Sequence, residues 1–414
     1  MSCSEWKKVK LGDLIDSISI KHKFDKDEII FLNTSDVLEG KVLHNNYSPI
    51  DGLPGQAKKS IKKDDILFSE IRPKNKRFAY IDFDADNYVV STKLMVLRRK
   101  SEDVNNKYLY NYLTSPSTLD YLQTIAEGRS GTFPQITFSE LKSMEINLPP
   151  LEEQEKIANI LSSLDDKIEL NNEMNKTLEE MAQSIFKRWF VDFEFPNEDG
   201  QPYKSSGGEM VESELGMIPK GWEYGVINDT CEKIYSGGTP KTSEETYWNG
   251  ELNWMSSGET RNNFIIDTEK YITQQGADKS STKLANRLNT VIASAGQGFT
   301  RGQTSLLLID TYINQSLITL KPKYYYEFFN YFNIKRRYDE LRNISDSHSI
   351  RGSLTTKMIC KLGTILPSIE VLKEFCVIIE PIIIQIENNI RNSQNIEELR
   401  NQLLPKLMNG EIKF

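Results

Sequence analysis

The sequence predicts an α/β protein built twice over: two duplicated α/β domains, separated by two long antiparallel helices and related by an internal pseudo-two-fold repeat. Three observations carry this expectation. Short β-like runs precede helical runs in each half, a long segment of helical period closes each half, and a forward shift of 218 residues lays the first half on the second. A chain of 414 residues also exceeds what one hydrophobic core serves.

The first domain is placed at residues 1–150. Its β-like runs fall at residues 29–32, 66–68, 78–81, 88–90 and 94–97, with helical stretches at 105–113 and 117–126. Leu148-Pro149-Pro150 then stops the chain and presets a helix start, where Glu152, Glu153 and Glu155 complement the positive N-terminus. The central helix is placed at 151–192. With Ile157 at heptad position a, the a series is Ile157, Leu164, Asn171, Leu178 and Ile185, and the d series is Ile160, Lys167, Met174, Met181 and Arg188. A linker rich in Pro, Gly and Ser, residues 193–220, leads over the surface to a second domain at 221–368, with β-like runs at 252–255, 291–293, 306–309 and 317–320 and a helix at 324–337. The C-terminal helix is placed at 369–414, and Pro381 should kink its first turns or delay its regular part.

The 218-residue shift places Ile157 on Phe375, Leu164 on Ile382, Asn171 on Asn389, Leu178 on Ile396, Ile185 on Leu403 and Tyr108 on Tyr326. Trp6 and Trp222 echo each other at a slightly different offset. Both asparagines thus occupy one a position at the middle of a helix of about 57 Å. In an antiparallel pair they meet, so Asn171 and Asn389 are expected to hydrogen-bond across the seam and fix its register.

Composition excludes several classes. With 38% hydrophobic and 27% charged residues the chain is globular rather than disordered. No apolar run approaches 18 residues and the start MSCSEWKKVKLGD has no signal-peptide core, so a cytoplasmic protein without a membrane span is expected. Cys3, Cys231, Cys360 and Cys376 lack CxxC spacing, and His22, His44 and His348 are isolated, so no metal site is expected. The net charge of −8 argues against nucleic acid only as an average. Residues 58–77 hold eight cations against Asp64, Asp65 and Glu70, while residues 151–180 hold nine acids against three lysines. A second basic stretch runs over 321–342.

The helix LPPLEEQEKIANILSSLDDKIELNNEMNKTLEEMAQSIFKRWF, the linker FPNEDGQPYKSSGGEMVESELGMIPKGWE, and a second domain carrying SGGTPKT and YWNGELNWMSSGE resemble the specificity subunit of type I restriction-modification systems over essentially the whole chain. The resemblance implies that the domains are target recognition domains and the helices that family's coiled-coil-like conserved regions. It implies a subunit without catalysis or cofactor of its own, partnered by double-stranded DNA with a bipartite site, by two modification subunits that bind S-adenosylmethionine and methylate adenine N6, and by restriction subunits that use ATP and Mg2+. Each recognition domain would read one half-site and the helices would set the spacer. The residues agree: NLPPL at 147–151 lacks the aromatic residue that an adenine methyltransferase motif needs, and no GxxxxGK[ST] occurs.

Base reading calls for bidentate side chains in loops with close backbone approach. SEIRPKNKR offers Ser69, Arg72, Lys74, Asn75, Lys76 and Arg77, and GRSGTFPQ offers Arg129, Ser130, Thr132 and Gln135. In the second domain SGGTPKT, ASAGQGFTRGQ and SHSIRGS offer Thr239, Lys241, Gln297, Thr300, Arg301, Gln303, Ser349 and Arg351. The aromatic residues of 324–332 are read as core rather than as base-stacking platforms. Two other classes stay open: a non-catalytic coiled-coil adaptor with two protein-binding domains, and a nuclease using Asp82, Asp84 and Lys93.

Overall fold

A computed structural model describes residues 6–128, 134–296, 298–348 and 352–412. The chain divides into two compact units, residues 1–168 with 394–414, and residues 169–393. Both long helices are therefore shared between units.

Each unit follows one plan. In the first, an antiparallel sheet runs Ile15–Ile18, Leu94–Arg99, Ile66–Ser69, Phe78–Tyr80. In the second, the matching order is Cys231–Ser236, Leu317–Pro322, Thr290–Ala293, Thr304–Leu307, with Phe264–Ile265 added in parallel. The central strands Ile66–Ser69, Thr290–Ala293 and Thr304–Leu307 are buried at every position, which is why their sequences run apolar or small without alternation. A second sheet has a parallel central pair between antiparallel flanks in both units: Tyr47–Pro49, Glu28–Leu32, Tyr88–Ser91, Ala57–Ser60, and Lys270–Ile272, Trp248–Met255, Thr311–Ile313, Lys283–Ala285. The fold class expected from the sequence is the one observed.

The 218-residue shift holds for the strands Glu145–Leu148 and Gly363–Leu366 and for the long helices Leu151–Phe190 and Ile369–Met408. It rises to 221 at the helices Asn106–Thr114 and Glu327–Lys335. The counterpart of the buried Tyr108 is therefore Phe329, also buried, whereas Tyr326 stands at the N-cap of its helix with its ring buried against Phe329.

The seam of the first long helix has a different phase from the expected one. Of the positions three after an a residue, Ile160 packs half-buried against the first unit's core, but Lys167, Met174, Met181 and Arg188 are all exposed. The buried stripe instead adds Leu161 and Ala182, four residues after an a position, together with Trp189. The charges at 167 and 188 were the sequence signal for this phase, because a cation in a seam would be desolvated without a partner.

The asparagine layer lies within the second unit and is wider than one pair. Asn171 Nδ2 donates to Ser393 Oγ at 3.0 Å and Asn392 Oδ1 at 3.1 Å, and reaches the Asn389 carbonyl at 3.4 Å. Asn389 Nδ2 donates to Asn175 Oδ1 at 2.8 Å. The two side chains thus do not pair with each other, contrary to the expectation from the sequence. Each binds the residue one turn beyond its counterpart, and Ser393 is the counterpart of Asn175 at the same shift. Numbers that rise along one helix fall along the other, so the pair is antiparallel within this unit. Two buried asparagines and a buried serine make slipped registers costly, since each slip strands amides and a hydroxyl in an apolar seam.

A test follows from the asymmetry between losing one partner and losing all. Asn389→Leu should lower stability by about 1–3 kcal/mol, because Asn175 Oδ1 loses its donor and Gln385 Nε2 its acceptor beside the seam. Replacing Asn171, Asn175, Asn389 and Ser393 together by aliphatic residues should recover that loss or exceed it. Thermal unfolding of the full chain reads both. A neutral single variant would show that the layer is solvated.

Pro381 does not break the second long helix, which runs from Ile369 to Met408. Pro381 sits on an exposed face beside exposed Val377, whose carbonyl loses its partner where water can replace it. The segment expected as a linker is folded: Met210–Ser213 and Gly216–Pro219 form a hairpin, and Phe195 stacks between Tyr203 at 4.6 Å and Trp222 at 4.9 Å. Its glycines read as flexibility, but the interleaved aromatic rings supply the core that fixes it.

Candidate nucleic-acid interface

In the first unit the strands Ile66–Ser69 and Phe78–Tyr80 are joined by the loop that carries SEIRPKNKR. Its backbone is tied to a second loop, with Arg72 N–H donating to the Pro134 carbonyl at 3.0 Å, Ile136 N–H to the Glu70 carbonyl at 2.8 Å, and Ile71 bridging Gln135. Two loops distant in sequence thus form one surface. Arg72 and Lys76 adopt left-handed φ of 46° and 54°, a backbone cost for non-glycine residues that gathers at working sites.

Arg72, Lys74, Asn75, Lys76 and Gln135 are exposed on this surface. Lys74 pairs with Asp120 at 2.8 Å and Lys76 with Glu39 at 2.9 Å. Such exposed pairs are worth about 0–1 kcal/mol, so a phosphate can displace the carboxylate. Arg77 is half-buried and spends one guanidinium nitrogen on the carbonyls of Ser35 and Val37. Ser69 is a correction: it is 3% exposed, and its hydroxyl accepts from Ile71 N–H at 3.1 Å, which makes it part of the turn. Lys59, counted in the basic stretch, is also buried and donates to the carbonyls of Thr92 and Leu94.

In the second unit the equivalent hairpin loop joins Thr290–Ala293 to Thr304–Leu307. It is tied in the same way, Leu354 N–H donating to the Ser294 carbonyl at 2.8 Å. Arg301 is the second correction. It is 9% exposed, donates to the Gly352 carbonyl at 2.6 Å and pairs with Asp346, so it ties one loop to another instead of facing a base. Gly352 has a left-handed φ of 46°, and a Cβ there would strike the Arg301 guanidinium. Gln303 Oε1 accepts from Thr260 at 3.4 Å, and Thr300 is half-buried beside it.

The SGGTPKT loop reaches the same end of the sheet through Gln315, whose neighbour Ser316 accepts at its carbonyl from Ser294 N–H at 2.8 Å. Thr239 donates to Gln315 Oε1 at 2.5 Å, Lys241 pairs with Glu244 at 2.8 Å, and the Lys241 carbonyl accepts from Trp248 Nε1. Gly237 and Gly238 have no room for a side chain, since a Cβ would lie 2.0 Å from the Ile313 carbonyl and the Ser281 hydroxyl. Arg129, Ser130, Thr132, Gln297, Ser349 and Arg351 lie outside the described residues.

Replacing Arg301 by alanine should therefore cost about 1.5–3 kcal/mol of stability through the lost charged hydrogen bonds. Denaturant unfolding reads that loss. A base-reading arginine would leave stability unchanged and alter base preference instead.

The basic stretch 321–342 is largely spent inside its own unit. Lys321 pairs with Glu232, and Arg337 with Glu340. Lys335 pairs with Glu179 of the first long helix at 2.7 Å, and burial holds its ammonium below the usual range against the pull of that carboxylate. The aromatic run that precedes it is core from Tyr326 onward, as expected, with Phe328, Phe329, Tyr331 and Phe332 buried, whereas Tyr324 is 73% exposed and departs from that expectation. Among the described residues no group of His, Cys, Asp and Glu side chains could hold a metal ion, and no helix is long and apolar enough to cross a membrane.

A family model for the type I restriction modification DNA specificity domain matches residues 3–180 and again 219–398. The chain belongs to that family. The two matched segments end 218 residues apart, at the shift that relates the long helices. The specificity chain is 33% identical to the type I restriction enzyme HindI specificity subunit of Haemophilus influenzae, covering 99% of this chain and 100% of that one. It is 28% identical to the MjaIX specificity subunit of Methanocaldococcus jannaschii over 75% of this chain and 70% of that one. A crystal structure of a type I restriction-modification S subunit from M. genitalium shares its fold, with a TM-score of 0.59 at 16% identity over 98% and 97% of the two chains. At the level of the family, this is a specificity subunit of a type I restriction-modification system, assembled from two tandem copies of one domain type.

Proposed function

We propose that each unit reads one half of a bipartite site in double-stranded DNA, that the two long helices set the unread gap, and that the chain directs adenine methylation and restriction carried out by partner subunits. The observation that carries this reading is the repetition of the same pair of tied loops on the same sheet order in both units. In the first unit Arg72, Lys74, Asn75, Lys76 and Gln135 face the DNA; in the second, Thr239, Lys241, Thr300 and Gln303. The chain catalyses nothing and holds no cofactor, S-adenosylmethionine, ATP and Mg2+ belonging to the partners.

The long helices offer docking faces for two modification subunits. In the second unit Met181 and Val377 stand 50% and 66% exposed among acidic neighbours, a pattern suited to an amphipathic partner helix and unsuited to phosphate. The compartment would be the cytoplasm.

The test is co-expression with a type I modification subunit, followed by single-molecule sequencing for N6-methyladenine. Two short specified halves around a fixed gap, appearing only when the chain is present, are the expected outcome. A complex that forms without adding methylation, and a chain without salt-dependent DNA affinity, would together return the adaptor reading.

A further inference from the structure

The tip of the second unit's hairpin loop holds a feature that bidentate hydrogen bonding does not use. Phe299 is 81% exposed, the most exposed large apolar side chain among the described residues. Its loop is nevertheless built to hold it. Gly296, Gly298 and Gly302 adopt φ of 146°, 62° and 87°, which shape the turn. The Phe299 carbonyl accepts from Tyr338 Oη at 2.7 Å, and the Gly298 carbonyl from Arg342 Nη1 at 2.6 Å. Arg301, two residues on, ties the loop to Asp346 and Gly352. A loop tied at Gly298, Phe299 and Arg301 while its ring faces solvent has lost conformational entropy before any partner arrives, which is the condition for tight contact on binding.

We infer that Phe299 is a nucleobase-contacting residue of the second half-site, its ring stacking on a base at a step that the loop opens. The inference rests on the DNA-reading proposed above. Its loop occupies the place of the Arg72–Lys76 loop of the first unit, between the same two strands of the same sheet. The Arg342 guanidinium packs 6.0 Å from the Tyr338 ring at the loop's base, so a cation for the adjoining phosphate stands beside the apolar tip. Aromatic side chains stack on bases with little sequence preference, and insert at steps that unstack cheaply, such as TA or CA.

The experiment uses the full chain with its modification subunit and oligonucleotides carrying the mapped split site, with 2-aminopurine at successive steps of the second half. Wild type should brighten at one step, and Phe299→Ala should abolish that signal and weaken binding about 5- to 150-fold. Phe299→Trp should keep both, and Phe299→Leu should recover neither fully. Changing the first half-site should weaken wild type and variant by the same factor. Phe299→Ala with unchanged affinity and unchanged 2-aminopurine signal would overturn the inference, as would full recovery by leucine, which would mean apolar contact without stacking. If wild type methylates no split site, the functional reading itself fails, and the two failures are distinct.

Discussion

Phe375→Ala is expected to destabilise the second unit by about 3–5 kcal/mol, the largest loss of any single truncation considered. Phe375 is fully buried on the second long helix. Its ring stands edge-on to Phe190 at 4.9 Å and 86°, and close to Trp189 at 5.9 Å and Phe186 at 6.0 Å, all on the first long helix. Phe332, from the domain helix Glu327–Lys335, closes the cluster at 6.4 Å. One ring therefore joins three segments, and its removal leaves a cavity among them. Edge-to-face pairs add about 0.5–1.5 kcal/mol beyond the buried area. Denaturant unfolding followed by tryptophan emission reads the loss, since Trp189 and Trp222 report this cluster. Val377→Ala, two residues away but exposed, should stay within about 0.5 kcal/mol. A loss below 1 kcal/mol for Phe375→Ala would mean that the helices pack through other contacts.

The cluster also explains what the sequence could and could not say. The duplication was legible because helix-forming and strand-forming periods repeat at one shift, and the equal bounds of the long helices at that shift follow from it. The seam phase was less legible. Met174 and Met181 look more like seam residues than Asn175 and Ala182 do, and a polar layer hides the very positions that would reveal the phase. Lys167 and Arg188, which the expected seam placed inward, were the contrary signal, and both are exposed. The tied loops were legible as glycine-flanked polar runs, but not the direction of each side chain. Arg72 and Arg301 read alike in sequence, yet Arg301 turns inward because Asp346 and Gly352, some fifty residues later, fold back against it. Phe299 was passed over since the expectation was framed around hydrogen-bonding groups, although an apolar residue in a glycine-rich turn was itself a signal. The aromatic stack at Phe195 escaped for the converse reason, composition having been weighed above pattern.

Removing one heptad from both long helices at the same level is the change with the largest expected effect on function. Asp165 and Arg400 face each other at 2.6 Å in the first unit, so residues 161–167 and 397–403 form one level of the helix pair. Deleting both stretches keeps the 4-3 alternation of the seam, the asparagine layer and both sets of loops. At 1.5 Å per residue the pair shortens by about 10 Å, or about three base pairs at 3.4 Å each. Methylation should leave the native spacing and reappear at a gap about three base pairs shorter, with each half-site unchanged. The yield should fall as well, because three base pairs also turn the duplex by about 100° at 10.5 per turn, whereas a heptad turns the helix pair by only about 20°. DNA must then untwist or bend to present both halves, at a cost of order 1–6 kcal/mol. Deleting only 161–167 should abolish split-site methylation while leaving a folded second unit, since the seam then slips against 397–403. An unchanged gap in the double deletion would separate spacing from helix length and assign it to the domains themselves.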